Sequence, residues 1–173
     1  MTRMPDQASS WIARFTPLVR PRGSVLDVAC GGGRHGRYFL ACGHTVTGID
    51  RDLSRTTAPG AELIAADLED GTPWPLGPRQ FDAVVVANYL WRPLFPALCA
   101  ALAPGGVLLY ETFADGNQAF GRPSRPDFLL KRGELLELAA GLTVVAYEDG
   151  VMEGRAVIQR LCAVNGPGPF PLP

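Results

Sequence analysis

The stretch VLDVACGGGRHG, from Val25 to Gly36, decides the fold of this chain. An apolar run that contains the carboxylate of Asp27 leads into a turn with three consecutive glycines, from Gly31 to Gly33, and then into residues of helical pattern. Glycine lets the backbone approach a ligand closely, and the first N–H groups of a helix have no partner inside the helix. The pattern therefore predicts a strand, a ligand-binding loop and the start of a helix.

Apolar stretches of strand length alternate with segments of helical pattern on both sides of this loop. The predicted strands cover residues 24–28, 45–50, 62–66, 81–87, 107–112, 143–149 and 156–165. The predicted helices cover residues 11–18, 33–42, 90–102 and 133–140, with a helical turn near Leu53 and a stop and turn at 103–106. Gly150 and Gly154 join the last two strands as a hairpin. This alternation predicts an α/β fold with a doubly wound sheet of seven strands, mostly parallel with one antiparallel strand in the C-terminal hairpin.

The length of 173 residues fits one domain. We expect a helical N-terminal segment over residues 1–22, the α/β core over 23–165 and an irregular, Gly- and Pro-rich tail over 166–173. Residues 113–130 form the one long segment without a clear pattern, and loops of this length in compact domains are usually functional or disordered.

Composition narrows the choice of partners. Sixteen basic and seventeen acidic side chains give a net charge of −1, which offers no electrostatic case for nucleic acid or a membrane surface. The four cysteines are scattered, so the sequence predicts reduced thiols and no metal site. It contains neither a signal-peptide pattern nor an apolar run near the ~20 residues that span a bilayer, so we expect a cytoplasmic protein that does not enter a membrane.

Two further carboxylates follow neighbouring strands. Asp50 ends the second strand in HTVTGID, and Asp67 follows the third strand in LIAADLED. The carboxyl ends of parallel strands meet at one edge of a sheet, so both side chains are expected beside the glycine loop and Asp27. A carboxylate at Asp50 can accept hydrogen bonds from two ribose hydroxyls, and one at Asp67 can accept from an adenine amino group. The three acids together predict a nucleoside site.

The loop also contains the dinucleotide pattern G-x-G-x-x-G through Gly31, Gly33 and Gly36. A dinucleotide places its pyrophosphate at the helix N-terminus, where the nearby Asp27 would repel it, whereas the ammonium group of an amino acid would be attracted. A chain of 173 residues also leaves no room for a separate substrate domain. An adenosyl amino acid that donates a methyl group is therefore favoured over a nicotinamide dinucleotide.

From Gly23 to Asn165 the chain resembles the class I S-adenosylmethionine-dependent methyltransferases, which have a Rossmann-like fold. FDAVVVANYL (81–90) is similar to the family's fourth-strand segment, and ALAPGGVLLYETF (101–113) to its helix, turn and fifth strand. The resemblance implies S-adenosylmethionine as cofactor and S-adenosylhomocysteine as product. It places the methionine moiety at the first loop, the ribose at the acid ending the second strand and the adenine after the third. The implied cofactor residues are Asp27, Ala29, Gly31, Gly33, Asp50, Arg51, Asp67, Leu68 and Asn88.

The sequence departs from this family in two places. Ala29 replaces the commoner first glycine of the loop, a change that we expect the turn to accommodate. The segment after Asp50 is short and ends at Pro59-Gly60, so the second crossover helix is cut down and the adenine side of the pocket is expected to be more open. The loop beyond the fifth strand resembles one in small bacterial methyltransferases grouped loosely with tellurite-resistance and small-molecule enzymes.

Catalytic candidates lie at the carboxyl ends of the fourth and fifth strands and beside the first loop. Glu111 is a candidate general base or the partner of a nearby arginine, and Tyr89 is expected beside the cofactor. His35 is a candidate proton shuttle or a packing residue at the helix start. The segment from Gly116 to Ala139 is either a lid over the acceptor or a solvated connection. The candidate acceptor contacts are Trp91, Arg92, Phe113, Asn117, Phe120 and Arg122.

The sequence thus predicts in-line methyl transfer to an acceptor, with a small molecule favoured. Two alternatives stay open. One is a methyltransferase acting on RNA or protein, which would dock through the basic cluster between Arg122 and Arg132. The other is a non-catalytic protein that binds the cofactor or supports a partner subunit. The stretch from Asn88 to Trp91 is not the Asn-Pro-Pro-aromatic motif of enzymes that methylate amino groups of nucleic-acid bases, which disfavours a base substrate.

Overall fold

The computed structural model describes residues 7–173, which build a seven-stranded sheet in the order β3-β2-β1-β4-β5-β7-β6. The first five strands are parallel, and β7 runs antiparallel to both of its neighbours. The predicted fold class is confirmed, including the single antiparallel strand in the hairpin. The strands are β1 (Ser24–Val28), β2 (Thr45–Asp50), β3 (Glu62–Ala65), β4 (Phe81–Ala87), β5 (Leu102–Phe113), β6 (Thr143–Met152) and β7 (Ala156–Val164).

The helices in the described part of the chain are short. The α-helices are α1 (Ser10–Phe15), α2 (Arg34–Ala41), α3 (Phe95–Ala100) and α4 (Glu134–Leu138). Single 3-10 turns cover Thr16–Leu18, Arg92–Leu94, Asn117–Ala119 and Pro126–Phe128. Among residues 7–173, no helix has the length and apolar character needed to cross a bilayer.

Helices cover both faces of the sheet. On one face, Trp11 and Phe15 of α1 and Phe39 of α2 pack against alternate residues of the central strands. On the other face, Leu98 of α3 and Leu135 of α4 pack against the intervening residues. The middle strands are therefore buried on both sides, which explains their nearly unbroken apolar sequences.

Two predicted helices differ from the structure. The segment predicted as one helix over residues 90–102 forms a 3-10 turn followed by α3. Proline lacks a backbone N–H and favours the first positions of a helix, and Pro93 and Pro96 lie at the starts of these two segments. The helical turn expected near Leu53 is wrong. Residues 51–61 contain only turns, with the Thr56 N–H donating to the Leu53 carbonyl oxygen at 3.0 Å.

The predicted stop and turn at residues 103–106 is instead an irregular part of β5. The strand pairs with β4 through Leu102, opposite Phe81, and then skips to Val107, opposite Ala83. A Cβ atom on Gly106 would lie 2.8 Å from the carbonyl oxygens of both Ala103 and Phe81. Glycine at this position therefore reflects a close approach of backbone to backbone.

We expect Gly106→Ala to lower the free energy of unfolding by ~1–3 kcal/mol, the usual effect of overpacking, because backbone atoms must move to admit the methyl group. Gly150→Ala is the matched control, since Gly150 lies in β6 and a Cβ atom there meets nothing within 4 Å. Urea unfolding of the two variants measures the difference. Equal stability would show that β4 and β5 are not tightly apposed at the bulge.

Candidate functional site

The carboxyl ends of the parallel strands border a cavity of about 540 Å³. Strand ends and the connections that follow them supply most of its walls, and the loop after β5 supplies the rest. The lining residues are Ala29, Asp50, Arg51, Ala66, Asp67, Leu68, Glu69, Asn88, Tyr89, Leu90, Thr112, Phe113, Pro123 and Phe128. A cavity of this size at the carboxyl edge of an α/β sheet is the usual position of a ligand site.

Six of the nine residues predicted to contact a cofactor line this cavity. They are Ala29, Asp50, Arg51, Asp67, Leu68 and Asn88. Asp27, Gly31 and Gly33 lie outside the lining. The structure thus brings together the residues expected around the ribose and adenine, and places most of those expected around the methionine moiety beneath or beside the cavity.

Asp50 fixes the glycine loop to the end of β2. Its Oδ2 atom accepts a hydrogen bond from the Gly31 N–H at 2.8 Å, and its Oδ1 atom accepts from the Asp52 N–H at 3.1 Å. A carboxylate has about four lone-pair sites, so two acceptor positions stay available for a ligand. Asp50 can therefore hold the loop and bind a diol at the same time.

A second set of contacts, made by residues 51–61 and by Arg37, also holds the glycine loop in place. Residues 51–61 fold back onto it, so that the Thr56 hydroxyl donates to the Gly31 carbonyl oxygen at 2.6 Å. The Arg37 guanidinium donates to the Gly32 carbonyl oxygen at 2.8 Å and to the Thr57 hydroxyl at 2.8 Å. Sequence reasoning missed Arg37 and Thr56, because nothing in their spacing shows that the shortened crossover packs on the loop.

Two residues of the lining have left-handed backbone conformations. Ala29 has φ 52° and Asn88 has φ 57°. Asparagine tolerates this region, whereas an alanine there costs roughly 1–2 kcal/mol. The turn accommodates Ala29 at this energetic cost, and such strain is commonly found at binding sites.

Asp27 is buried below the loop, with 2% of its surface exposed. Its Oδ2 atom accepts from the Gly36 N–H at 3.1 Å and so ties β1 to the first turn of α2. Burial raises the pKa of Asp27 from 3.8 to about 7; the Gly36 hydrogen bond and Arg34 oppose this shift, and Asp50 adds to it.

This raised pKa predicts a pH-dependent stability. Between pH 3.8 and about 7 the folded chain holds a proton on Asp27 that the unfolded chain has lost, so stability falls as pH rises through this window. Asp27→Asn keeps an acceptor for Gly36 and should remove the effect. We expect its stability relative to wild type to rise by roughly 2–3 kcal/mol from pH 5 to pH 7, at ~1.4 kcal/mol per pH unit. Urea unfolding at both pH values measures the free energies of unfolding, with Asp115→Asn as an exposed control. If the difference in stability between Asp27→Asn and wild type were the same at both pH values, Asp27 would be ionised in the folded chain.

Of the three predicted catalytic residues, Tyr89 alone lines the cavity. Its backbone is fixed by the Tyr110 hydroxyl, which donates to the Tyr89 carbonyl oxygen at 2.7 Å. Burial, followed by the nearby carboxylates of Glu69, Asp67 and Asp50, raises the pKa of Tyr89 well above its ordinary value. The phenol therefore stays protonated, and its O–H donates to the Glu69 carboxylate.

Glu111 and His35 lie elsewhere. Glu111 is 4% exposed and alternates along β5 with Tyr110 and Thr112, on the face where Leu109 packs with α1. The His35 ring accepts a hydrogen bond at Nε2 from the Ser9 N–H at 3.2 Å. This contact requires an unprotonated Nε2 and joins α2 to the cap of α1. Neither residue is part of the cavity lining. The structure supports a packing role for His35, whereas Glu111 meets the cavity wall through its backbone, because its carbonyl oxygen accepts from the N–H of the lining residue Asn88 at 2.9 Å.

The predicted acceptor contacts lie in different places, and only some of them line a cavity. Phe113 lines the main cavity, and Trp91 lines a neighbouring cavity of about 270 Å³ together with Trp74. Asn117 is 2% exposed; its amide donates to the Pro123 carbonyl oxygen at 2.9 Å and accepts from the Val157 N–H at 3.1 Å, so it shapes the loop. Phe120 and Arg122 are exposed and outside both linings.

Arg92 holds the loop after β5 in place. Its guanidinium pairs with both carboxylate oxygens of Glu134, at 2.5 and 2.9 Å. It also donates to the carbonyl oxygens of Asp127 and Leu129, at 3.0 and 2.9 Å. These bonds occupy the fork that an acceptor anion would need. These contacts give Arg92 a positioning role for the segment that contains Phe128, and its contact with the acceptor stays a prediction.

We expect Arg92→Lys to loosen this loop, because lysine cannot form the two-pronged pair with Glu134. Cleavage by limited proteolysis within residues 114–133 should accelerate at least threefold, while thermal unfolding changes by no more than a few degrees. Arg125→Lys is the control, since the Arg125–Asp127 pair at 2.9 Å is exposed. Unchanged cleavage of the Arg92 variant would show that the loop is held by other contacts.

Sequence reasoning also missed Glu69, Pro123 and Phe128 as residues of the site. Glu69 lies two residues after Asp67 in the stretch LIAADLED, and its N–H donates to Asp67 Oδ1 at 2.9 Å. Pro123 and Phe128 belong to the long loop, whose course depends on tertiary contacts. Proximity to Asp67 is a usable signal for Glu69, whereas no local signal marks the other two.

Comparison with known proteins agrees with this geometry. Residues 25–106 match the family model for a methyltransferase domain. Over 160 residues the chain is 31% identical to trans-aconitate 2-methyltransferase from Delftia acidovorans, covering 82% of this chain and 59% of that protein. The chain thus spans about three fifths of that relative's length.

Two solved structures share the fold. One is a TehB-like SAM-dependent methyltransferase from Corynebacterium glutamicum, with a TM-score of 0.65, 21% identity and coverage of 87% of this chain and 84% of that one. The other is 1,6-didemethyltoxoflavin-N1-methyltransferase from Burkholderia thailandensis, solved with 1,6-didemethyltoxoflavin and S-adenosylhomocysteine. It gives a TM-score of 0.67 and 22% identity, covering 96% of this chain and 80% of that one.

Proposed function

Because this chain contains a methyltransferase domain of the S-adenosylmethionine-dependent class, we propose that it transfers the methyl group of S-adenosylmethionine to a small-molecule acceptor. The observation that carries the proposal is the convergence of Asp50, Asp67 and Asn88 on one cavity, whose other end is formed by Phe113 and Phe128. One end has acceptors for a nucleoside, and the other is apolar.

The lining fits an adenosyl group. Asp50 retains acceptor positions for the ribose hydroxyls beside its bonds to Gly31 and Asp52. Asp67 accepts the Glu69 N–H through Oδ1, which leaves Oδ2 for an adenine amino group. Leu68 and Leu90 add apolar surface for the base. The volume of about 540 Å³ lies within the range of roughly 300–1,000 Å³ for small-molecule sites.

When bound, S-adenosylmethionine supplies a methyl group already activated by a positively charged sulfur. The chain mainly has to align the acceptor with it, and proximity and orientation alone can contribute roughly 7–11 kcal/mol. The Tyr89 hydroxyl oxygen can orient the acceptor by accepting a hydrogen bond from it, and Phe113 and Phe128 add apolar surface around the methyl group. No protein nucleophile is required by this chemistry.

A small acceptor is favoured over RNA or protein. The loop that contains Pro123 and Phe128 forms part of the cavity wall, which limits access by a large substrate. Arg125, one of the basic residues available for docking, pairs with Asp127 at 2.9 Å. The similar proteins named for trans-aconitate and 1,6-didemethyltoxoflavin support the same choice.

We also propose that the protein acts in the cytoplasm. Cys30, Cys42, Cys99 and Cys162 are all free thiols. Free thiols are typical of a reducing compartment.

Asp50→Ala should weaken binding of S-adenosylhomocysteine by about 2–3 kcal/mol, because the ribose hydroxyls lose a charged acceptor and Gly31 loses its anchor. Titration calorimetry measures the affinity. Asp52→Ala is the matched control. This exposed neighbour lies outside the cavity lining and accepts hydrogen bonds from Ser54, whose N–H donates at 2.9 Å, so the variant should bind like wild type. Wild-type affinity in the Asp50 variant, with unchanged thermal stability, would remove Asp50 from the site.

A further inference from the structure

The charges around the cavity are unevenly distributed. The charged side chains of its lining are Asp50, Arg51, Asp67 and Glu69, all of which lie at the ends of β2 and β3 or directly after them. A second wall is formed by the end of β4, the end of β5 and the loop that follows β5. The lining residues of this wall include no charged residue. That wall consists of Tyr89, Leu90, Thr112, Phe113, Pro123 and Phe128, together with Asn88.

From this distribution, and resting on the proposed function, we propose that the methyl acceptor is an uncharged aromatic compound with a hydroxyl group or a ring nitrogen. Phe113 and Phe128 offer aromatic faces for a planar ring, and Pro123 offers a flat apolar one. The hydroxyls of Tyr89 and Thr112 and the amide of Asn88 are the polar groups on this wall that can bind a phenolic hydroxyl or a ring nitrogen.

An acidic acceptor is disfavoured for two reasons. The lining contains three carboxylates and one guanidinium, so its net charge is negative, and a cavity of this size lies within the ~8 Å screening length of physiological salt. In addition, two arginines near this wall bind other groups. Arg92 binds Glu134 and two carbonyl oxygens, and Arg125 pairs with Asp127 and lies 5.4 Å from the ring centre of Phe128.

The transfer step balances without a further reactant. A lone pair on the acceptor oxygen or nitrogen forms the new bond to the methyl carbon, and the electron pair of the broken carbon–sulfur bond stays with sulfur. The proton of the acceptor leaves to water. Tyr89 is held protonated by burial and by Glu69, to which its O–H donates, so it does not take up this proton.

The test uses the full chain loaded with S-adenosylhomocysteine and three pairs of aromatic probes that differ by one carboxylate. The pairs are catechol and 3,4-dihydroxybenzoate, 2-naphthol and 3-hydroxy-2-naphthoate, and benzimidazole and benzimidazole-5-carboxylate. Ligand-observed NMR titration should give a Kd about tenfold lower for the uncharged member of each pair, equivalent to ~1.4 kcal/mol. Equal or tighter binding of the carboxylates, or binding of neither member of any pair, would overturn the inference.

A charge-adding variant makes the test specific to this wall. Phe128→Lys places a cation at the acceptor end, and since Phe128 is 43% exposed the fold should tolerate it. The preference for the uncharged members should disappear or reverse, whereas Val151→Lys, at a position 60% exposed in the distant hairpin, should keep it. An unchanged preference in the Phe128 variant would also overturn the inference.

Affinity for S-adenosylhomocysteine alone is measured first, in wild type and in both variants. Absence of this binding in wild type would refute the proposed function itself. Binding of S-adenosylhomocysteine together with a preference for the carboxylate probes would refute only the acceptor class.

Discussion

The hydrogen bond from the Gly31 N–H to the Asp50 carboxylate is the contact on which the site depends. It joins the loop after β1 to the end of β2, and so fixes a backbone that otherwise has great freedom because three glycines follow one another. The same carboxylate faces the cavity. One side chain thus connects the topology of the sheet to the position at which a nucleoside diol can bind.

The asymmetry of the cavity follows from the two halves of the sheet. On the β2 and β3 side, acids end the strand or follow it within a few residues, whereas aromatic, amide and hydroxyl residues end or follow β4 and β5. The long loop then closes the apolar side, and the Arg92–Glu134 pair holds it at a distance from the charged end. In the proposed function, cofactor binding and acceptor choice therefore depend on separate parts of the chain.

The sequence predicted the sheet well, and it identified most residues that line the charged end of the cavity, because both are encoded locally. Strand β1 is marked by an apolar run that is followed within a few residues by three glycines. Asp50 is marked by a second apolar run that ends in this acid. The acceptor end was predicted less well, since its residues depend on tertiary contacts. Arg92 resembled an anion ligand until its partner Glu134, 42 residues away, was known, and Phe128 carried no local signal at all.

The most direct test of the central claim compares two adenosine ligands by titration calorimetry on the wild-type chain. An acid-lined cavity beside a glycine loop tied to Asp50 should bind S-adenosylhomocysteine at one site per chain and should not bind NAD⁺, whose pyrophosphate would lie against carboxylates. Tight binding of NAD⁺ with no detectable binding of S-adenosylhomocysteine would contradict the account.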